Sequence, residues 1–126
     1  MAVLIVEDEE QVRVFAESFL QGEGHETLSA GTIEQALALL EGTEPIGLLF
    51  TALTLQGDPE AGLVLANKAV QLRPDLKVLY TSGQGVTDGM IALFVKNSAF
   101  LPKPYTVDQL AATFHLKFGF RRSQPN

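Results

Sequence analysis

The sequence predicts an α/β fold: one doubly wound (βα)5 domain whose five parallel strands lie in the order 2-1-3-4-5. Two observations predict it. Short apolar runs alternate strictly with helical patterns across short connections, and such alternation means a parallel sheet with helices on both faces. The first run, residues 2–6 (Ala-Val-Leu-Ile-Val), is continuously apolar, as expected of a strand covered on both sides. No internal repeat or linker interrupts the pattern.

Each element has its own signal. After the first strand, Val12, Phe15, Ala16, Phe19 and Leu20 fall on one helical face, and Gly22 and Gly24 end that helix. Residues 25–30 form a weaker, more polar strand at a sheet edge, with His25 at its start. Thr32 and Gln35 match a capping box and open a helix with Ile33, Ala36, Leu37 and Leu40 inward. Residues 46–50 form the third strand and residues 51–57 a loop. Asp58 and Pro59 fit the N-cap and first position of a helix reaching Leu72. Residues 76–80 form the fourth strand. The next helix is poor because Gly83, Gly85 and Gly89 lie in and before it. Residues 99–101 form a short fifth strand. A second capping box, Thr106 and Gln109, opens the last helix with Val107, Leu110, Ala111, Phe114 and Phe118 on one face. The expected domain is 1–120, followed by a polar tail at 121–126.

Composition narrows the function classes. A chain of 126 residues with 46% hydrophobic and 19% charged residues is one globular domain with a real core. It contains no cysteine, which excludes disulfide and thiolate chemistry and permits a reducing cytoplasm, the expected location. No run approaches a membrane span, and the N-terminus lacks a basic secretory start. A net charge of −6 argues against nucleic-acid binding, and Arg121 with Arg122 is too small a patch to reverse it. His25 and His115 have no ligand-spaced partner for zinc.

In open parallel sheets ligands bind at the carboxyl ends of the strands, near the switch point between strands 1 and 3. That rule selects Glu7, Asp8, Thr51, Ala52, Thr81 and Lys103. Adjacent carboxylates suit Mg²⁺. The plainer alternative is that Asp8 caps the first helix while Glu9 and Glu10 favour its positive end. Thr81 ends strand 4, where its hydroxyl could donate to a phosphoryl oxygen, although taken alone it reads as an ordinary strand-end threonine. Lys103, between Pro102 and Pro104, is aimed as a point charge for phosphate. Pro104 also lowers the cost of a cis Lys103–Pro104 bond, with trans the commoner form. Ala52 breaks the pattern, because a carboxylate there would complete an acidic pocket for metal and phosphate.

The segments at 3–9 (VLIVEDE), 48–55 (LLFTALTL), 78–83 (VLYTSG) and 100–105 (FLPKPY) together resemble the receiver domain of two-component response regulators, the CheY-like superfamily, along the whole chain. The resemblance implies a flavodoxin-like fold and a role in phosphorelay signal transduction, not an enzyme. It implies Mg²⁺ at Asp8, Glu7 and the Thr54 backbone carbonyl. It further implies switch and phosphate-sensing roles for Thr81, Ser82, Phe100 and Lys103. Implied partners are a sensor histidine kinase or phosphotransfer protein, with target binding or self-association through the face of helix 4, strand 5 and helix 5.

The family's phosphoacceptor aspartate falls on Ala52, which has no nucleophile. The expected consequences are no phosphorylation at that site, weak or absent Mg²⁺ binding, and Lys103 turned towards Asp8 or Glu7. Gln56 stands where the family often has proline. Rescue by Asp58, Glu60, Thr51 or Thr54 is disfavoured, because in-line transfer tolerates little misplacement. Two origins fit: an introduced or single natural loss in a phosphorylatable receiver, or a natural pseudo-receiver acting through protein contacts alone. An FMN-binding or phosphatase-like enzyme on the same architecture fits poorly. Glu7 through Glu10 repel phosphate, and no D-x-D pattern follows the first strand. With no room for an output domain, the chain is expected to be stand-alone or excised from a longer protein.

Overall fold

The structure, a computed structural model, describes residues 1–120; the expected polar tail lies outside them. The elements are β1 (Ala2–Val6), α1 (Glu10–Gly22), β2 (Thr27–Ala30), α2 (Ile33–Glu41), β3 (Ile46–Ala52), α3 (Ala61–Leu72), β4 (Lys77–Ser82), α4 (Asp88–Ala92), β5 (Ser98–Pro102) and α5 (Val107–Phe118). All strand pairs are parallel and the order is β2-β1-β3-β4-β5, as the alternation predicts. No described helix is long and apolar enough to cross a membrane.

Both faces of the sheet are covered, which explains the unbroken apolar runs. Leu4, Val6, Leu49, Val78 and Tyr80 face one way, into a core shared with Ala36 and Leu40 of α2 and Leu65, Ala66 and Ala69 of α3. Val3, Ile5, Leu48, Phe50 and Leu79 face the other way, onto Ala16 and Leu20 of α1 and Leu110, Phe114 and Phe118 of α5. On the helices the inward stripe is narrower than predicted. Phe15 of α1 and Val107 of α5 are exposed, and Val12 is half-buried.

Several boundaries differ from the sequence reading, each for a local reason. The ladder continues past the last apolar residue, pairing Thr51 with Tyr80 and Ala52 with Thr81, so β3 and β4 end later than expected. Thr51 and Ala52 therefore belong to a strand and not to a loop. β5 likewise extends to Pro102, and β2 starts at Thr27, leaving His25 outside it. α3 begins at Ala61 rather than Pro59. Leu55 and Asp58 exchange both backbone hydrogen bonds (3.1 and 3.0 Å) around Gln56 and Gly57, whose φ angles are 52° and 80°. Asp58 is consumed by that turn, where its Oδ1 accepts from the Glu60 N–H at 3.0 Å, and it is not the helix cap.

The capping boxes divide. At α5, Thr106 and Gln109 satisfy each other's backbone donors in full. At α2, Thr32 accepts from the Gln35 N–H, but the Gln35 side chain accepts from Gly31 rather than Thr32. α4 spans five residues, as its glycine content leads one to expect. Tyr80 reaches out to this weak segment, accepting from the Val95 N–H at 3.0 Å and stacking on Phe94.

One close approach fixes the end of β3. The Gly62 N–H of α3 donates to the Leu53 carbonyl at 2.8 Å, and a Cβ on Gly62 would lie 2.2 Å from the Ala52 oxygen and 2.7 Å from Leu53 Cα. Helix propensity alone favours Gly62→Ala by ~1 kcal/mol. The backbone clash reverses the sign, so G62A should lose about 3 kcal/mol of stability. Urea unfolding midpoints check this; an unchanged or raised midpoint contradicts the packing.

Candidate functional site

The parallel arrangement points the C-terminal ends of β1, β3, β4 and β5 to one edge. There a cleft of about 250 Å³ opens, with Ala52 at its floor beside its ladder partner Thr81. Asp8, Thr54, Ser82 and Lys103 also line it, so most of the predicted residues converge. Two do not line it. Glu7 is buried beside Lys103, and Phe100 is half-buried on the neighbouring surface, stacked on Phe94 with centroids 6.3 Å apart. Thr51 is fully buried, its hydroxyl donating to the Ala52 carbonyl at 2.9 Å.

The central contact is ionic. Lys103 Nζ lies 2.6 Å from Glu7 Oε1, off the direction of an aligned hydrogen bond, and 3.7 Å from Glu9 Oε1. The Glu9 contact is solvent-exposed and contributes little. Glu7 also accepts from the Glu9 N–H through Oε2, and its carbonyl accepts from Arg13 Nη1 at 2.7 Å. The Lys103 backbone N–H donates to the Ser82 carbonyl at 2.9 Å, and the Lys103–Pro104 bond is cis. Burial pushes the Glu7 carboxyl above the usual carboxylate range, and the attraction of Lys103 offsets only part of that.

Asp8 takes neither the capping role nor a lysine partner. The N-cap of α1 is Glu9, without a side-chain bond. Asp8 Oδ2 instead accepts from the Gln56 N–H at 2.8 Å, pinning the turn after β3 to the end of β1. The Thr81 hydroxyl is buried and finds no hydrogen-bond partner among the described residues. Such an orphan costs roughly 1–3 kcal/mol.

The donor set does not make a complete magnesium site. Mg²⁺ demands near-octahedral oxygen ligation anchored by carboxylates. Glu7 is held by Lys103, Asp8 holds Gln56, and Ala52 offers no side-chain oxygen. No group of three or more Asp, Glu, His or Cys among the described residues is arranged to hold a metal. His25 packs against Phe114 and Phe120, and burial pushes its pKa down; His115 Nδ1 lies 3.2 Å from the Phe120 carbonyl.

Sequence reasoning gave no role to Arg13, Gln84 or Tyr105. Arg13 carries the Glu7 backbone contact, Gln84 lines the cleft, and Tyr105 packs between Phe15 and Phe50. Burial and the Glu7 charge push the Tyr105 hydroxyl up to about 12. Tyr105 directly follows Pro104, which is the one sequence signal that would have found it.

Residues 3–115 match the family described as the response regulator receiver domain. Among curated relatives, an NtrX-like response regulator of Rickettsia bellii is 29% identical over 109 residues, 86% of this chain but 23% of its own length. This chain therefore spans about a quarter of the curated relatives it matches. Among solved structures, the receiver domain of the hybrid histidine kinase CckA has a TM-score of 0.77 at 30% identity, covering 93% of this chain and 98% of that one. The receiver domain of NtrX from Brucella abortus has a TM-score of 0.79 at 30% identity, covering 91% and 96%.

The raised Glu7 pKa has a sign that can be read out. The native state holds this proton at a pH where the unfolded chain has released it. Glu7 thus contributes stability that is fully present below the ordinary carboxylate range and lost as pH rises through its raised value. Glu7→Gln should flatten that stretch of the stability-versus-pH curve, followed by urea unfolding at several pH values. Lys103→Met should steepen it, because Glu7 then loses its counter-charge.

Proposed function

This chain belongs to the response-regulator receiver domain family, and we propose that it is a receiver that accepts no phosphoryl group at the end of β3. Ala52 stands at the family's phosphoacceptor position. The observation that carries this reading is the methyl of Ala52 on the cleft floor with Lys103 turned to Glu7. There is no nucleophile to be phosphorylated. The lysine has its own counter-charge, and one oxygen of Asp8 accepts from the Gln56 N–H. Mg²⁺ binding is correspondingly weak or absent, although Asp8, Glu7 and the Thr54 carbonyl are the groups that serve it in the family. Asp58 is spent in its turn and does not substitute.

The chain then acts as an interaction module within a two-component system. Its partner is a sensor kinase, a phosphotransfer protein or the remainder of a longer NtrX-like regulator. Exposed Ile91 and Leu93 at α4, with Val107 and Leu116 on α5, supply apolar contact area on the face proposed for partners. Thr81, Ser82, Phe100 and Lys103 keep the switch positions next to that face. The short α4, followed by Phe94 and Val95 that meet Tyr80 of β4, supplies an element that can shift.

The unpartnered Thr81 hydroxyl favours a second reading of the origin. A cleft that still holds a phosphate-sensing hydroxyl is what one recent loss in a phosphorylatable parent would leave.

Incubation with a small phosphodonor and magnesium, read by intact mass, tests both readings. The unaltered chain should gain no phosphoryl group, and a stoichiometric gain would overturn the proposal. Ala52→Asp should gain one if the loss is recent; no gain there favours a natural pseudo-receiver.

A further inference from the structure

α4 stops where the sequence gives it no reason to stop. It ends at Ala92 after five residues, yet Leu93, Phe94, Val95 and Lys96 follow with neither proline nor glycine among them. Its end is wound tight: the N–H groups of Leu93 and Phe94 each donate three residues back, to Met90 and Ile91, at 3.0 Å. Beyond that point side chains take hold of the backbone. The Val95 N–H, which in a continuing helix would reach the Ile91 carbonyl, donates to the Tyr80 hydroxyl at 3.0 Å. The Val95 carbonyl accepts from Ser98 Oγ at 2.6 Å. The Phe94 ring lies on the Tyr80 ring, with centroids 4.2 Å apart.

We propose that the Tyr80 hydroxyl is a clamp that holds α4 one turn short, and that its release lets the helix run on to Val95.

The surroundings suit both lengths. Asn97 has a φ of 57°, the left-handed conformation of a residue just past a helix cap, and asparagine adopts it more readily than most residues. Lys96 would then be the cap of the longer helix. Gly83 and Gly85, between β4 and α4, give the slack the helix needs as it draws towards β5. No residue of α4 is buried, so its movement opens no core, whereas Tyr80 is fully buried and keeps the fixed half of the clamp in the sheet. The exchange is near even in kind. One hydrogen bond at Val95 replaces another, and the Phe94 stack is set against a further turn of helix. Phe94 also stacks on Phe100, at 6.3 Å, so its departure from Tyr80 is felt on β5. Exposed Ile91 and Leu93 ride on the same segment. A partner surface gripping them would select one length over the other, and that step alone rests on the interaction-module reading above.

The test is ¹³Cα chemical shifts and amide exchange, measured on the isotope-labelled chain and two variants. In the unaltered chain residues 93–96 should show non-helical shifts, with a slowly exchanging Val95 amide. Tyr80→Phe keeps the ring and removes the hydroxyl. It should move the balance towards the long helix about fivefold, the weight of one hydrogen bond. The signature is helical shifts at Leu93 and Val95 with the Val95 amide still protected, now by Ile91. Phe94→Ala, which removes the stack and keeps the hydroxyl, should move the same two residues the same way. Unchanged signals from β1 and β3 report that a variant is folded. Should Tyr80→Phe not fold, Phe94→Ala, at a half-buried position, decides alone. The proposal is overturned if Leu93 and Val95 stay non-helical in the deciding variant. That holds whether Val95 exchange is unchanged or rises to the rate of an open loop, since either makes the Tyr80 hydroxyl an ordinary loop contact. Failure here leaves the phosphodonor result standing, because no step of the clamp involves Ala52.

Discussion

The ion pair between Lys103 and Glu7 governs the C-terminal edge of this sheet. Among the described residues Glu7 is the one acidic side chain taken almost wholly out of water, and a buried carboxylate needs a partner close by. The lysine that supplies it comes from late in the chain, just past β5, which two strands separate from β1 in the sheet. Its backbone N–H is bound to the end of β4 and its ammonium to Glu7 just past β1, so one residue ties the end of β5 to the ends of β4 and β1. The rest of the edge is arranged around that bond. Asp8 faces outward to the turn after β3, Thr81 is left with an unpaired hydroxyl, and Ala52 needs nothing from either.

This arrangement fits our proposal that Ala52 stands at the family's phosphoacceptor position. An aspartate at the end of β3 would compete with Glu7 for Lys103 and add a fourth carboxylate to the same edge. Without it, the charge closes internally through Glu7, and the turn after β3 is held by a protein hydrogen bond from Gln56 to Asp8. The proposed role as an interaction module follows from that self-sufficiency. The apolar residues left on α4 and α5 are the surface such a module would use.

Much of this was legible in the sequence. Strict alternation gave the strand order, because a parallel sheet covered on both faces leaves unbroken apolar runs such as Ala2–Val6. The strand-end rule brought Asp8, Ala52, Thr81 and Lys103 to one cleft. Local hydrogen bonding was harder to read. Thr51 and Thr81 look like strand ends by polarity, yet the ladder runs through them because their hydroxyls are buried. Asp58 has the chemistry of a cap but is held by the left-handed turn at Gln56 and Gly57. Asp8 finds its partner 48 residues away, and Gly62 is required by the approach of α3 to β3; neither leaves a periodic trace.

We propose that Lys103, and neither metal nor phosphate, balances the charge at this site. The most direct test is a ¹³C titration of the Glu7 carboxyl with and without magnesium and a phosphodonor. The expected result is one midpoint, above the usual carboxylate range and the same under all conditions. A midpoint that magnesium or the phosphodonor moves would show that the site still answers to those ligands and would contradict the account.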